Sequence, residues 1–110
     1  MICDETLELI QDELADLESD LNDADISLSQ GVLNINLGSV GTWVINKQTP
    51  NRQIWWSSPI SGPRRYEYHP DPSGKAPLLS VWKNSKDGTS LLEALQKEML
   101  KATGNTLFQS

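Results

Sequence analysis

Apolar residues recur along this chain with two different periods, and the change from one to the other divides it into elements. From residue 4 to about 21, Leu7, Ile10, Leu14, Leu17 and Leu21 return every three or four positions, which lines one face of a helix. Period two takes over next. Segments 26–29 and 32–37 alternate across Gln30-Gly31 and predict a hairpin, with Leu33, Ile35 and Leu37 facing inward and Asn34 and Asn36 outward. After a reversal at 38–41 come strands at 42–47 and 52–57. Between them Pro50 presets φ and Asn51 tolerates a tight turn. The proline- and glycine-bearing stretch 58–63 is punctuation. A strand at 64–69, a mobile loop at 70–77, a closing strand at 78–82 and a turn at 84–88 follow. Ser90 and Glu93 then form a capping box ahead of Leu91, Leu92, Leu95 and Met99, and Gly104 ends that helix. A helix-strands-helix order predicts a two-layer α+β sandwich. Both terminal helices pack on one face of an antiparallel sheet, the other face stays wet, and residues 1–110 form one domain.

The alternation carries a candidate site. On strand 52–57, Gln53, Trp55 and Ser57 point one way and Ile54, Trp56 and Ser58 the other. Only one of the two tryptophans can be inside. If Ile54 and Trp56 pack on the core, Trp55 stands on the open face beside Gln53, with Asn46 joining from the facing strand. On the next strand Tyr66 and Tyr68 share one face and Arg65 and Glu67 the other, so Arg65 reaches toward Trp55. Arginine beside an unburied tryptophan marks a recognition patch.

Charge sharpens this picture once it is divided along the chain. Residues 1–46 hold ten acids and no Lys or Arg, whereas residues 47–110 hold five acids and nine bases, for a net charge of −6. Glu5, Glu8, Asp12 and Asp16 share the helix side opposite the leucines, with Glu13 and Asp20 flanking, and Asp23 and Asp25 carry the charge into the first strand. A solvated face is the ordinary reading of such a ridge. Surface helices usually intersperse bases, however, because like charges at i,i+4 destabilise by roughly 0.2–0.5 kcal/mol each. Exposed carboxylates are hard ligands suited to weak binding of iron, manganese, magnesium or calcium, and without nearby His or Cys they make no tight transition-metal cage.

The segment Val44-Ile45-Asn46-Lys47-Gln48-Thr49-Pro50-Asn51-Arg52-Gln53-Ile54-Trp55, followed by Ser57-Ser58-Pro59 and Ser61-Gly62-Pro63-Arg64-Arg65-Tyr66, resembles the signature of the frataxin family, its eukaryotic branch in particular. The acidic first helix and Asp87-Gly88-Thr89-Ser90 before the last helix extend the likeness over nearly the whole chain. Trp56 stands where relatives often carry an aliphatic residue, which implies a repacked core. The resemblance implies an iron-binding activator of iron-sulfur cluster assembly in the mitochondrial matrix, made with a transit peptide that this sequence lacks. Such a protein docks on the complex of a cysteine desulfurase and its scaffold protein, promotes sulfur transfer, and helps position or supply iron. It further implies weakly held ferrous or ferric iron on the ridge formed by Glu5, Glu8, Asp12, Glu13, Asp16, Asp20, Asp23 and Asp25. The expected docking patch is Asn46, Gln53, Trp55 and Arg65, with Gln48, Pro50 and Asn51 at its rim. Ferroxidase activity is also attributed to the family. A mostly monomeric state is expected, with metal-dependent oligomers and iron storage by self-assembly as a further reading.

Other classes fit less well. One histidine, His69, and no glycine-rich phosphate loop leave no conventional catalytic set, so no catalytic residue is assigned. The lone Cys3 excludes an internal disulfide or a self-held cluster and reads as a frayed-end residue. No apolar run approaches the roughly 20 residues of a membrane span, and the acidic start is unlike a leader peptide. No membrane partner is expected. A single-stranded nucleic-acid module built on Trp55 with Arg52, Arg64 and Arg65 is the alternative, but the acidic balance argues against a nucleic-acid partner.

Overall fold

The computed structural model describes residues 2–20 (side chains through 15), 24–48 and 52–104. Helix α1 spans Ile2–Asp20, and strands β1 (Ala24–Ser29), β2 (Val32–Leu37), β3 (Thr42–Gln48), β4 (Gln53–Ser58), β5 (Gly62–Tyr68) and β6 (Trp82–Asn84) precede helix α2 (Leu91–Thr103). The strands form one antiparallel sheet in sequential order, β1 to β6. Both helices pack on one side of it, giving the expected two-layer α+β sandwich.

The interior follows from the two periods. Cys3, Leu7, Ile10 and Leu14, spaced by four, three and four, form the buried stripe of α1. It packs on the inward residues Ile26, Leu33, Ile35, Leu37, Trp43, Ile45, Ile54, Trp56 and Tyr66. Cys3 is therefore a core residue, not a frayed end. The helix starts two residues earlier than its leucines suggest, and burial pushes the thiol pKa up, with Asp4 adding to the rise.

Three buried indoles each find an acceptor for the N–H, and two of them tie the sheet to a helix. Trp82 Nε1 donates to Thr6 Oγ1 of α1 at 2.8 Å, Trp43 Nε1 to Glu98 Oε1 of α2 at 3.0 Å, and Trp56 Nε1 to Ser61 Oγ at 3.2 Å. Glu98 is only 4% exposed and also accepts from Ser58 Oγ, which in turn accepts from the backbone amides of Ile60 and Ser61. One carboxylate thus joins α2 to β3, β4 and the β4–β5 turn.

Local sequence sets the connections. Gln30 and Gly31 both adopt positive φ (51° and 77°), the arrangement of a type I′ hairpin. A Cβ on Gly31 would meet the Lys47 side chain at 2.6–2.9 Å. Glycine therefore lets Lys47 lie across the turn and reach Asp4 of α1 at 2.7 Å. Ser90 caps α2 by accepting from Glu93 N at 3.1 Å, and Gly104 closes it in the left-handed conformation.

Several boundaries shift by a residue or two, and the largest differences from expectation lie after β4. Residues Leu78–Val81 form a 3-10 helix after Pro77, and the closing strand is Trp82–Asn84 instead of 78–82. A four-residue apolar run does not distinguish the two forms. Strand β5 begins at Gly62, two residues early, and ends at Tyr68. The 70–77 loop is organised by Asp71, whose carboxylate accepts from Ser73 N, Ser73 Oγ, Lys75 N and Ala76 N. The expected place of Leu17 and Leu21 on the apolar helix face falls outside the described side chains.

Candidate functional site on the open sheet face

Antiparallel register places Asn46 opposite Trp55 and Trp55 opposite Arg65, so these three residues stand in one row across β3, β4 and β5. Val32 extends the row on β2, and Gln48, Gln53 and Glu67 form the next one. The alternation that buries Ile54 and Trp56 aims all of them at the side opposite the helices. Trp55 is 43% exposed, against 2% for Trp56.

Neighbours hold the exposed ring in place. Its Nε1 donates to Gln53 Oε1 at 3.3 Å, and the Arg65 guanidinium carbon lies 5.3 Å from the ring centroid. That cation–π contact contributes about 0.5–1 kcal/mol at such an exposed position. The indole is pre-oriented without being covered. A groove of about 570 Å³ runs beside it, lined by Val44, Asn46, Trp55, Pro63, Arg64 and Arg65 together with Ser85 and Lys86. Ser85 N donates to Arg65 O at 2.9 Å, which folds the turn after β6 against β5.

The sequence reading of the patch is thereby placed residue by residue. Asn46, Gln48, Gln53, Trp55 and Arg65 share the open face, while Pro50 and Asn51 fall outside the described residues. Lys86 and Ser85 were missed. Their segment reads as a turn, but nothing local in it says which strand the turn will rest on. Of the three arginines grouped with Trp55, only Arg65 belongs to its face. Arg64 pairs with Trp56 and stands beside the buried Tyr66 hydroxyl, and Arg52 takes a positive φ of 50° at the turn. Among the described residues the Tyr66 hydroxyl has no partner of hydrogen-bond geometry; burial raises its pKa, and the Arg64 guanidinium beside it, a donor as well as a charge, opposes that rise.

The acidic side is a separate surface. Glu5, Glu8, Asp12 and Glu13 are exposed on α1, and the only ion pair among the described residues is Asp4 with Lys47. Asp25 alternates with buried Ile26 and so belongs to the open face of edge strand β1, apart from the helix acids. The side chains of Asp16 and Asp20, and all of Asp23, lie outside the described residues. No three acids, histidines or cysteines among the described residues come together as a metal-holding group. The carboxylates are strung along the helix, an arrangement that attracts cations without enclosing them. His69 is an exposed residue just past β5, held by its backbone to Val81 O.

Comparison with known proteins gives this geometry a lineage. The family model of the Frataxin-like domain matches residues 1–105. Mitochondrial frataxin of Dictyostelium discoideum is 46% identical over 101 residues, covering 89% of this chain and 48% of the relative. The Drosophila melanogaster mitochondrial homologue is 44% identical over 102 residues, covering 89% and 51%. The chain thus spans about half the length of these curated relatives. Trimeric frataxin from the yeast Saccharomyces cerevisiae, solved as a ferrous complex, superposes with a TM-score of 0.75 at 36% identity, covering 96% of this chain and 88% of that one. Frataxin from Psychromonas ingrahamii, at 20% identity and a TM-score of 0.70, shares the fold. With a family match across both helices and all six strands, and relatives well above 30% identity over most of its length, the chain belongs to the frataxin family.

Proposed function

We propose that this protein is a mitochondrial activator of iron-sulfur cluster assembly that docks through its open sheet face on the complex of a cysteine desulfurase and its scaffold protein. The observation that carries the proposal is Trp55, a large ring left unburied yet held in position by Gln53 and Arg65. An indole of this kind gains most when a partner removes it from water, and pre-orientation lowers the entropic cost of docking. Asn46 and Arg65, in the same row, fix the partner's orientation by hydrogen bonds. Docking there promotes sulfur transfer to the scaffold. Localisation follows the relatives, which are named mitochondrial.

The acidic ridge serves a second role, weak capture of iron as cargo and attraction of basic segments of the desulfurase. Glu5, Glu8 and Asp12 follow one another at i,i+3 and i,i+4, so a hydrated cation can be shared between successive carboxylates. The ferrous complex of the yeast relative supports iron as the ion. The working unit is a single-domain monomer, and the yeast trimer supports metal-dependent assembly as an additional state.

The direct test is sulfide production by the purified desulfurase–scaffold complex with and without this protein. A severalfold increase is expected, and an unchanged rate overturns the proposal.

A further inference from the structure

The groove beside Trp55 has a charge character opposite to that of the whole molecule. The protein carries a net −6, yet no acid lines the groove, and of its three bases, Arg64, Arg65 and Lys86, two are exposed, Arg65 on β5 and Lys86 on the turn after β6. Neither forms an ion pair among the described residues. The apolar part of the lining comes from Val44, Trp55, Trp56 and Pro63, and Asn46 adds an amide.

Lys86 is placed here by the fold. Ser85 N donates to Arg65 O, Lys86 N to Asn84 Oδ1 at 2.8 Å, and Gly88 N to Asn84 O at 3.0 Å. Asn84 itself is buried. The turn is therefore held against β5, and its exposed lysine lines the groove together with Trp55 and Arg65.

We propose that this groove accepts an extended acidic segment of the docking partner, with an apolar residue against Trp55 and a carboxylate between Lys86 and Arg65. The inference rests on the docking reading above and specifies which partner chemistry that face selects. Charge complementarity argues for it: a carboxylate gains two cations and meets no acid in the lining. A basic segment would face both cations here and be drawn to the α1 ridge instead. The division lets one small protein hold acidic and basic parts of an assembly on different sides.

The test measures affinity of the full chain for the purified desulfurase–scaffold complex at low and high salt. Lys86→Glu is expected to weaken binding about tenfold at low salt and much less at high salt. Lys86→Arg should bind like the parent, and thermal midpoints should stay put because Lys86 is exposed. A capped peptide of alternating Leu and Asp should compete with the complex, whereas its Leu and Asn counterpart should not. If Lys86→Glu binds as tightly as Lys86→Arg, or both peptides behave alike, the acidic-segment inference is wrong. Loss of binding in Trp55→Ala alongside such a result would leave the docking reading standing. Unchanged binding in Trp55→Ala would remove both. Displacement of the complex by oligothymidylate, with no effect of the Asp peptide, would also overturn the inference in favour of a nucleic-acid ligand.

Discussion

Trp55 and Trp56 are the same side chain one residue apart, and the sheet gives them opposite work. Trp56 points at the helices, packs edge-on to Tyr66 with ring centroids 5.9 Å apart, and satisfies its N–H on Ser61. Trp55 points away from the helices, is steadied by Gln53 and Arg65, and keeps much of its ring in solvent. Strand parity alone separates them. The face built by Trp56, Ile54 and Tyr66 holds the fold together, and the face built by Trp55, Asn46 and Arg65 is left for recognition, so stability and binding should be separable by mutation.

The sharpest way to break that comparison begins on the buried side. Trp56→Ala should cost about 3–5 kcal/mol and Ile54→Ala about 2–5 kcal/mol in denaturant unfolding, since each opens a cavity in packed surroundings. A cost below 1 kcal/mol for Trp56→Ala would mean that its side of the sheet is not the structural one. Next comes Glu98→Leu, which strands the Trp43 N–H and the Ser58 hydroxyl in the interior. Roughly 1–3 kcal/mol should be lost for unmet donors of this kind, and Glu98→Gln, which keeps an acceptor oxygen, should lose less.

Smaller effects belong to exposed charge. Combining Glu5→Gln, Glu8→Gln and Asp12→Asn should raise stability by a few tenths of a kcal/mol through relief of like-charge repulsion. Iron uptake measured by calorimetry should weaken in the same variant. Unchanged uptake would detach iron from the ridge. Asp71 offers a pH test of smaller consequence. Its carboxyl is held below the ordinary carboxylate value, first by the Ser73 hydroxyl and then by backbone amides of the loop. A depressed folded pKa stabilises the loop above the unfolded value, and that contribution is lost as pH falls through the folded one. Amide chemical shifts of Ser73 and Ala76 should therefore hold steady until the pH drops below the usual carboxylate range.

Much of this was legible in residue order because alternation in a half-buried strand is a strong signal. Trp55 and Trp56, Asn34 and Ile35, and Arg65 and Tyr66 all fall on the sides that period two assigns them. Ser90 announced its helix for a similarly local reason, a hydroxyl three residues before an acid. Errors arose where local signals were short or where distant contacts decide. Cys3 lies four residues before Leu7 and completes its stripe, a spacing that could have been used. Glu98 follows Leu91, Ala94 and Leu95 on the buried face of α2, where an acid amid apolar neighbours signals a buried acceptor. The 78–81 segment is too short for period to choose between strand and 3-10 helix. Lys86 enters the groove only because its turn rests on β5, a contact between residues about twenty positions apart that no local pattern encodes.

The measurement that bears most directly on the two-sided sheet is Trp55→Ala, followed by thermal unfolding and by sulfide production of the desulfurase–scaffold complex. It removes the Arg65 contact and should therefore cost about 1 kcal/mol of stability, well short of the loss expected of Trp56→Ala, while stimulation of sulfide production falls to the level seen without the protein. Full stimulation by the variant, or unfolding as severe as that expected of Trp56→Ala, would contradict the assignment of recognition to the open face.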